Sequence, residues 1–326
     1  MKSKLQSIVL DDFCEQIVDS EHKTAPTQSF GIPYVRTPNV KNTRLILDDA
    51  LRVTEETYKE WTKRIEPKPY DIILCREAPV GDSAMILDNQ KVCLGQRTVL
   101  IRPNKEKIYP KYLLFLLNSP KVKHELLSNS GGTHVDHLNM KDIRNLKVQI
   151  YHSYDEQNII GDFLFNLNSQ IYFLENQNRI LEQIAQAIFQ SWFVDFDGVT
   201  EFEDSELGKI PKGWQVGKFS DVIAELESGK RPKGGINSLD MEVPSIGAEN
   251  IIGLGQYDFS KTKYISLEFF NEMKTGKIKH NDVLLYKDGA SLGRKSLFRD
   301  AFPFKQCCIN EHVFILRPNK KISKRL

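Results

Sequence analysis

The chain has 326 residues, 40% of them apolar, enough for two domains with real cores. Its 45 Lys and Arg against 43 Asp and Glu leave a net charge of +2, so bulk charge points to no polyanionic partner, and any such contact must come from local placement. No apolar run approaches the roughly 20 residues of a membrane span. The N-terminus is too short and too acidic for a signal peptide. The five cysteines (Cys14, Cys75, Cys93, Cys307, Cys308) form no CxxC pair and read as buried free thiols of a reducing cytoplasm, where we place the protein.

In chain order, residues 39–44 read as a loop leading into a strand. Thr54 opens a short helix over residues 54–61, with a polar residue three positions on. Residues 71–75 form a short buried strand. Residues 111–117 form a short apolar helix. Ser119 and Pro120 then restart helix as N-cap and first-turn residue. Gly131 and Gly132 break the chain, and residues 146–150 alternate as a strand.

From residue 154 to 196 the pattern changes to a heptad. Leu164, Ile171, Asn178, Ala185 and Trp192 fall at a; Ile160, Leu167, Leu174, Leu181 and Ile188 fall at d. A helix over residues 155–191 runs about 55 Å at 1.5 Å per residue. So narrow a seam asks for a partner helix. Asn178 either sets register within the seam or faces solvent. Phe189, Trp192, Phe193 and Phe196 make a dense aromatic end. Residues 198–214 then read as a polar linker.

Residues 31–104 and 242–319 align with each other in order and with little drift. Asp71 falls opposite Asp282, Arg76 opposite Lys287, Gly81 opposite Gly293, and Arg102-Pro103-Asn104 opposite Arg317-Pro318-Asn319. Ser266 opens the counterpart of the short helix at Thr54. The expected fold class is α+β: two copies of a mixed α/β domain separated by a long coiled-coil helix. The expected boundaries are 1–152, 153–197 for the helix, 198–214 for the linker, and 215–326 for a second copy that stops short of the first one's length.

Three stretches carry a resemblance: 132–148, 181–196 with Trp192-Phe193-Val194-Asp195-Phe196, and 205–214 ending at Trp214. With the tandem domains they make the chain resemble a specificity (S) subunit of a type I restriction–modification enzyme, C-terminally truncated. The resemblance implies that each copy is a target-recognition domain reading half of a split site in double-stranded DNA. It implies that the helix acts as a ruler, and that the partners are modification (methyltransferase) subunits and a restriction (translocase/nuclease) subunit. It implies no catalysis by this chain and no cofactor. A seam without its intramolecular partner could instead pair with a second copy of the chain.

A site reader needs Arg, Lys, Asn, Gln and His on loops, for phosphate oxygens and base edges. The candidates in the first copy are Arg36, Asn39, Lys41, Arg44, Arg76, Gln96 and Arg97. In the second they are Lys230, Arg231, Lys233, Asn250, Lys287, Arg294, Lys295 and His312. Gln96-Arg97 aligns with Glu311-His312, as readers of two different half-sites would.

Other motifs are weaker. The glycine stretch 289–296 lacks the spacing of a phosphate-binding loop. His134 and His137 have no third metal ligand at a usual spacing. Glu272 and Lys274, with Asp258 upstream, have the form of a nuclease site at loose spacing. Two alternatives to the main reading stand: a silent recognition cassette, and a nuclease carrying its own reader.

Overall fold

A computed structural model describes residues 5–77, 79–128, 137–232, 242–289, 292–299 and 303–319. The chain divides into two compact units, Met1–Gln190 and Ser191–Leu326.

In the first unit a four-stranded antiparallel sheet runs in the order Cys14–Asp19, Thr98–Pro103, Ile72–Cys75, Ser83–Met85. The run at 71–75 is apolar at every position because this strand is buried on both faces. The period of two sorts its side chains: Ile72 and Leu74 join one core, Ile73 and Cys75 the other. The first core is closed by the helices Pro110–Leu117 and Pro120–Ser128 and by the strand Lys147–Tyr151. That strand pairs with Leu5–Val9, so the N-terminus is tied to residues about one domain later in the chain. Across the other core lies a three-stranded sheet with Ile32–Val35 central, antiparallel to Arg52–Val53 and parallel to Cys93–Leu94.

The second unit repeats both sheets. Ile223–Ser228, Val313–Pro318, Val283–Tyr286 and Lys295–Leu297 form the four-stranded one. Val243–Ile246 is antiparallel to Lys263–Ile265 and parallel to Cys308–Ile309. Thr54 and Ser266 cap equivalent helices, Glu55–Trp61 and Leu267–Glu272, each accepting a bond from the amide three residues on (3.1 and 3.2 Å). Gly81 (φ 85°) and Gly293 (φ 84°) make the same turn, in the left-handed region that favours glycine. The glycine stretch 289–296, of which 290 and 291 lie outside the described residues, runs into the strand Lys295–Leu297 and not into a helix. Among the described residues of this unit no helix covers the sheet face that helices cover in the first. Val283, Leu285 and Phe314 are half-buried, and Leu226 is 59% exposed.

The heptad stretch is a single 40-residue helix, Tyr154–Phe193. The following residues were expected to be a linker. They instead hold a hairpin, Phe202–Ser205 with Gly208–Pro211. The chain reverses at Gly208 (φ 98°), and aromatic contacts anchor it: Phe196 meets Phe202 (ring centroids 6.2 Å apart) and Trp214 (5.4 Å). No helix among the described residues is long and apolar enough to cross a membrane.

Candidate nucleic-acid interface

The site begins where the parallel strand pair of each unit ends. In the first unit Gly95 donates to Val35 O (2.7 Å), which brings Arg36 beside Gln96 and Arg97. Arg97 sits at φ 66° and its side chain is 60% exposed, with Nε on Glu77 Oε2 (2.8 Å). Glu77 also accepts from His137 Nδ1 (2.7 Å). The other ring nitrogen, Nε2, lies 2.8 Å from Arg76 Nη2. A guanidinium can only donate, so in this contact Nε2 stands as the acceptor and Nδ1 faces the Glu77 carboxylate. Arg76 also reaches Leu138 O (2.9 Å) through Nε and pairs with Asp19 through Nη1.

The second unit builds the same arrangement from different side chains. Asn310 donates to Ile246 O (3.1 Å) where Gly95 met Val35. Lys287 takes the place of Arg76 and donates to Ser228 Oγ (2.8 Å), where Arg76 met Asp19. His312 takes the place of Arg97 and holds Asp288 (2.9 Å), where Arg97 met Glu77. Arg231 faces Glu311 at 3.5 Å. One scaffold thus presents an acid-held base at the same corner of both units, arginine in one and histidine in the other.

The remaining candidates divide. Arg36, Lys41, Lys230, Arg231 and Lys295 are exposed on loops and strand edges, free in position to meet a polyanion. Arg294 is exposed with one hand on Ile251 O (3.0 Å). Lys233 lies outside the described residues, as do His134 and Asp136.

Five candidates are engaged in bonds within the chain. Arg76 is only 6% exposed, and its guanidinium is tied to Leu138 O, Asp19 and His137 Nε2, contacts that organise the corner. Asn39 and Asn250 are loop staples. Asn39 Oδ1 accepts from Arg36 N (3.0 Å) and its amide donates to Ile46 O (3.2 Å). Asn250 does the same with Gly247 N (2.8 Å) and Asp258 O (2.8 Å), and at 0% exposure it reaches no base edge. Gln96 is bound to His22 O (2.8 Å). Arg44 points at the long helix. Nε donates to Asn168 Oδ1 (2.9 Å) and Nη2 to Ser169 Oγ (2.7 Å).

Sequence reasoning missed Glu77, Asp288, Asp19 and His22. Their roles depend on partners tens of residues away, and isolated acids on loops carry no local signal. Asp258, from the nuclease-like triplet, caps its own turn through Ser260 N (2.9 Å). The Ser260 side chain first, and its amide second, hold the Asp258 carboxyl below the usual range. Among the described residues no group of three or more His, Cys, Asp or Glu is placed to hold a metal.

The helix meets the first unit through a polar stripe rather than its seam. Gln157 and Gly161 are buried, and Gln157 accepts from Tyr109 N (3.0 Å). Asp162 accepts from Lys111 Nζ and Tyr109 Oη (2.7 Å each), first Lys111 and then Tyr109 holding its carboxyl low. At 100° per residue this stripe lies roughly 90° around the helix from the seam. So Ile160 and Leu164 are half-buried, while Leu167, Ile171, Leu174, Asn178, Leu181, Ala185, Ile188 and Trp192 are exposed, Leu181 by 61%.

Residues 3–185 match the family model described as type I restriction modification DNA specificity domain. The chain is 28% identical over 274 residues to the type I restriction enzyme MjaIX specificity subunit of Methanocaldococcus jannaschii, covering 81% of this chain and 60% of that protein. It is 29% identical over 170 residues to the type I restriction enzyme HindI specificity subunit of Haemophilus influenzae, covering 51% of this chain and 36% of that one. It therefore spans less than two thirds of the length of these relatives. In fold it is similar to the crystal structure of the type I restriction–modification system S subunit from M. genitalium. The TM-score is 0.59 at 12% identity, covering 99% of this chain and 75% of that one.

Proposed function

The chain belongs to the type I restriction–modification DNA specificity family, and from that premise we propose that it is a non-catalytic reader of a bipartite site in double-stranded DNA. Each unit reads one half. Modification (methyltransferase) subunits and a restriction (translocase/nuclease) subunit act where it directs them.

The observation that carries this reading is the equivalence of the Glu77–Arg97 and Asp288–His312 pairs. A carboxylate that holds a base at a fixed place pre-orients it for a groove, and a different base at the same place changes the sequence read. Arg97 suits the O6 and N7 edge of guanine in a bidentate contact. Arg36, Lys41, Lys230, Arg231, Arg294 and Lys295 supply phosphate contacts, which make affinity salt-dependent. Lys287, half-buried over Phe314 (4.5 Å), positions its corner as Arg76 does the first.

The uncovered seam from Leu167 to Trp192 supports a helical partner, and pairing with a second copy of the chain is part of this proposal. The reading is tested by selecting bound sequences from random DNA in the presence of modification subunits. Arg97→Ala should relax base preference in one half-site and His312→Ala in the other. Uniform weakening by both, with unchanged preferences, would defeat it.

A further inference from the structure

The hairpin Val40–Lys41 with Arg44–Leu45 has a two-residue turn, Asn42 (φ 48°) and Thr43 (φ 66°), both in the left-handed region. A primed turn of this kind suits Asn-Gly, and a β-branched Thr at positive φ is strained. Such strain persists only where surrounding contacts impose it.

The contacts are on the long helix. Thr43 Oγ1 lies 3.1 Å from Asn168 Oδ1, the same oxygen that accepts from Arg44 Nε at 2.9 Å. Arg44 Nη2 donates to Ser169 Oγ (2.7 Å), which itself donates to Phe165 O (2.7 Å). The guanidinium stands 4.8 Å from the Tyr172 ring centre and 5.9 Å from that of Phe165. Among the described residues no carboxylate pairs with Arg44, and neutral acceptors and two aromatic rings hold it. The turn itself is fixed as well, Thr43 bridging to Ala84 in the edge strand of the main sheet.

We propose that this hairpin is a latch, with Arg44 as the positioning residue that fixes the angle between the first recognition domain and its helix. The inference rests on the bipartite reading above for its use, though not for its structure. One anchor lies at Gln157–Asp162 against the helix Pro110–Leu117. A single anchor lets a rod pivot. The latch grips about 11 Å further along, at 1.5 Å per residue from Gly161 to Asn168 and Ser169. Two separated grips define a direction.

The lever is long. From Gly161 to Phe193 the helix continues for about 48 Å, so a tilt of about 10° moves its far end by about 8 Å. That is more than two base-pair steps of about 3.4 Å. A ruler tolerating such tilt could not hold a half-site spacing. The latch therefore assigns a function to an arginine whose partners, among the described residues, are two neutral side chains and two aromatic rings.

The test uses spin labels on Lys59→Cys, in the helix Glu55–Trp61, and Gln183→Cys, on the exposed part of the long helix. The labelled chain is diluted into unlabelled protein, without DNA. The otherwise unchanged chain should give one narrow distance distribution. Arg44→Ala should widen it at least about twofold, with the mean melting temperature held. Arg44→Lys should rescue little of the width, because an ammonium cannot fork between Asn168 and Ser169. Asn168→Ala should widen the distribution by the same route, should the arginine variant misfold. An unchanged width in both alanine variants overturns the latch. Because no DNA is present, this outcome is independent of the bipartite reading, which fails separately if random-site selection returns no split site.

Discussion

Arg317 grips Asp282 with two parallel bonds of 2.8 Å, from Nε and Nη2, and its Nη2 also reaches Lys277 O (3.0 Å). The first unit holds an identical fork: Arg102 donates to Asp71 at 2.9 and 2.7 Å and to Glu66 O at 2.7 Å. Each carboxylate also accepts the amide three residues before it, from Lys68 and Lys279, at 2.8 Å. The bonds to Asp71 and Asp282 raise the two guanidinium pKa values further, so both arginines stay charged. Breaking a buried pair on one side leaves an uncompensated charge, which costs about 3–5 kcal/mol. Asp71→Asn should therefore destabilise the first unit by about 3 kcal/mol, and Asp282→Asn the second by less, because Arg317 keeps Glu225 and Glu227 as partners. Denaturant unfolding should show two separable losses. If Asp71→Asn shifts the midpoint of neither unit, the fork is not structural.

Gly161→Ala tests a conflict of two effects. Alanine in place of glycine inside a helix normally gains about 1 kcal/mol. Here the added Cβ would sit 2.7 Å from Tyr112 N and 2.9 Å from Tyr109 Cδ1. A backbone atom cannot yield cheaply, so the clash wins, at about 1–3 kcal/mol net loss by the usual cost of overpacking. Thermal unfolding of the variant reads the sign directly, and a raised melting temperature would refute the close approach.

Burial pushes the thiols of Cys75, Cys93 and Cys307 up from about 9 to about 12, and Cys308 to about 11. Cys14 rises to about 12 by burial first and the Asp11 charge second. All five should resist a thiolate-directed reagent at pH 8 in the native protein and react after denaturation. The linkage has a sign. The unfolded chain loses these protons near pH 9 while the folded one keeps them, so stability falls as pH rises from about 9 toward about 12. Rapid native labelling at pH 8 would contradict the burial.

The exposed seam should associate. Leu174→Asp with Leu181→Asp places charge at two exposed d positions. The pair should abolish concentration-dependent association in sedimentation while leaving each unit's unfolding in place. Association of undiminished strength in the double variant would move the contact elsewhere on the surface.

The repeat was legible because period and order survive in sequence even where identities do not. Asp71, Gly81 and Arg102 have counterparts at constant order, and the sheets that contain them repeat strand for strand. The long helix was legible through its heptad, and the two short helices through their caps, Thr54 and Ser266. The site was less so. A loop arginine looks alike whether it is solvated or buried, and Arg76 meets Asp19 across 57 residues and Leu138 across 62. Asn39 and Asn250 resembled base readers because the amide that reads adenine also staples a loop. Arg44 misled for the same reason, since its acceptors lie 124 and 125 residues away on the helix. The hairpin at Phe202–Pro211 was hidden in a polar stretch, and only its aromatic packing explains its order.

The central claim is that two readers stand at a separation set by the helix. One heptad inserted into the exposed part of the seam adds about 10 Å of rise, or about three base-pair steps. Modified or bound sites should be mapped for the chain with and without the insertion, in the presence of modification subunits. The account predicts that the bases at both ends stay the same and the gap between them lengthens by about three base pairs. A changed set of bases with an unchanged gap would contradict it.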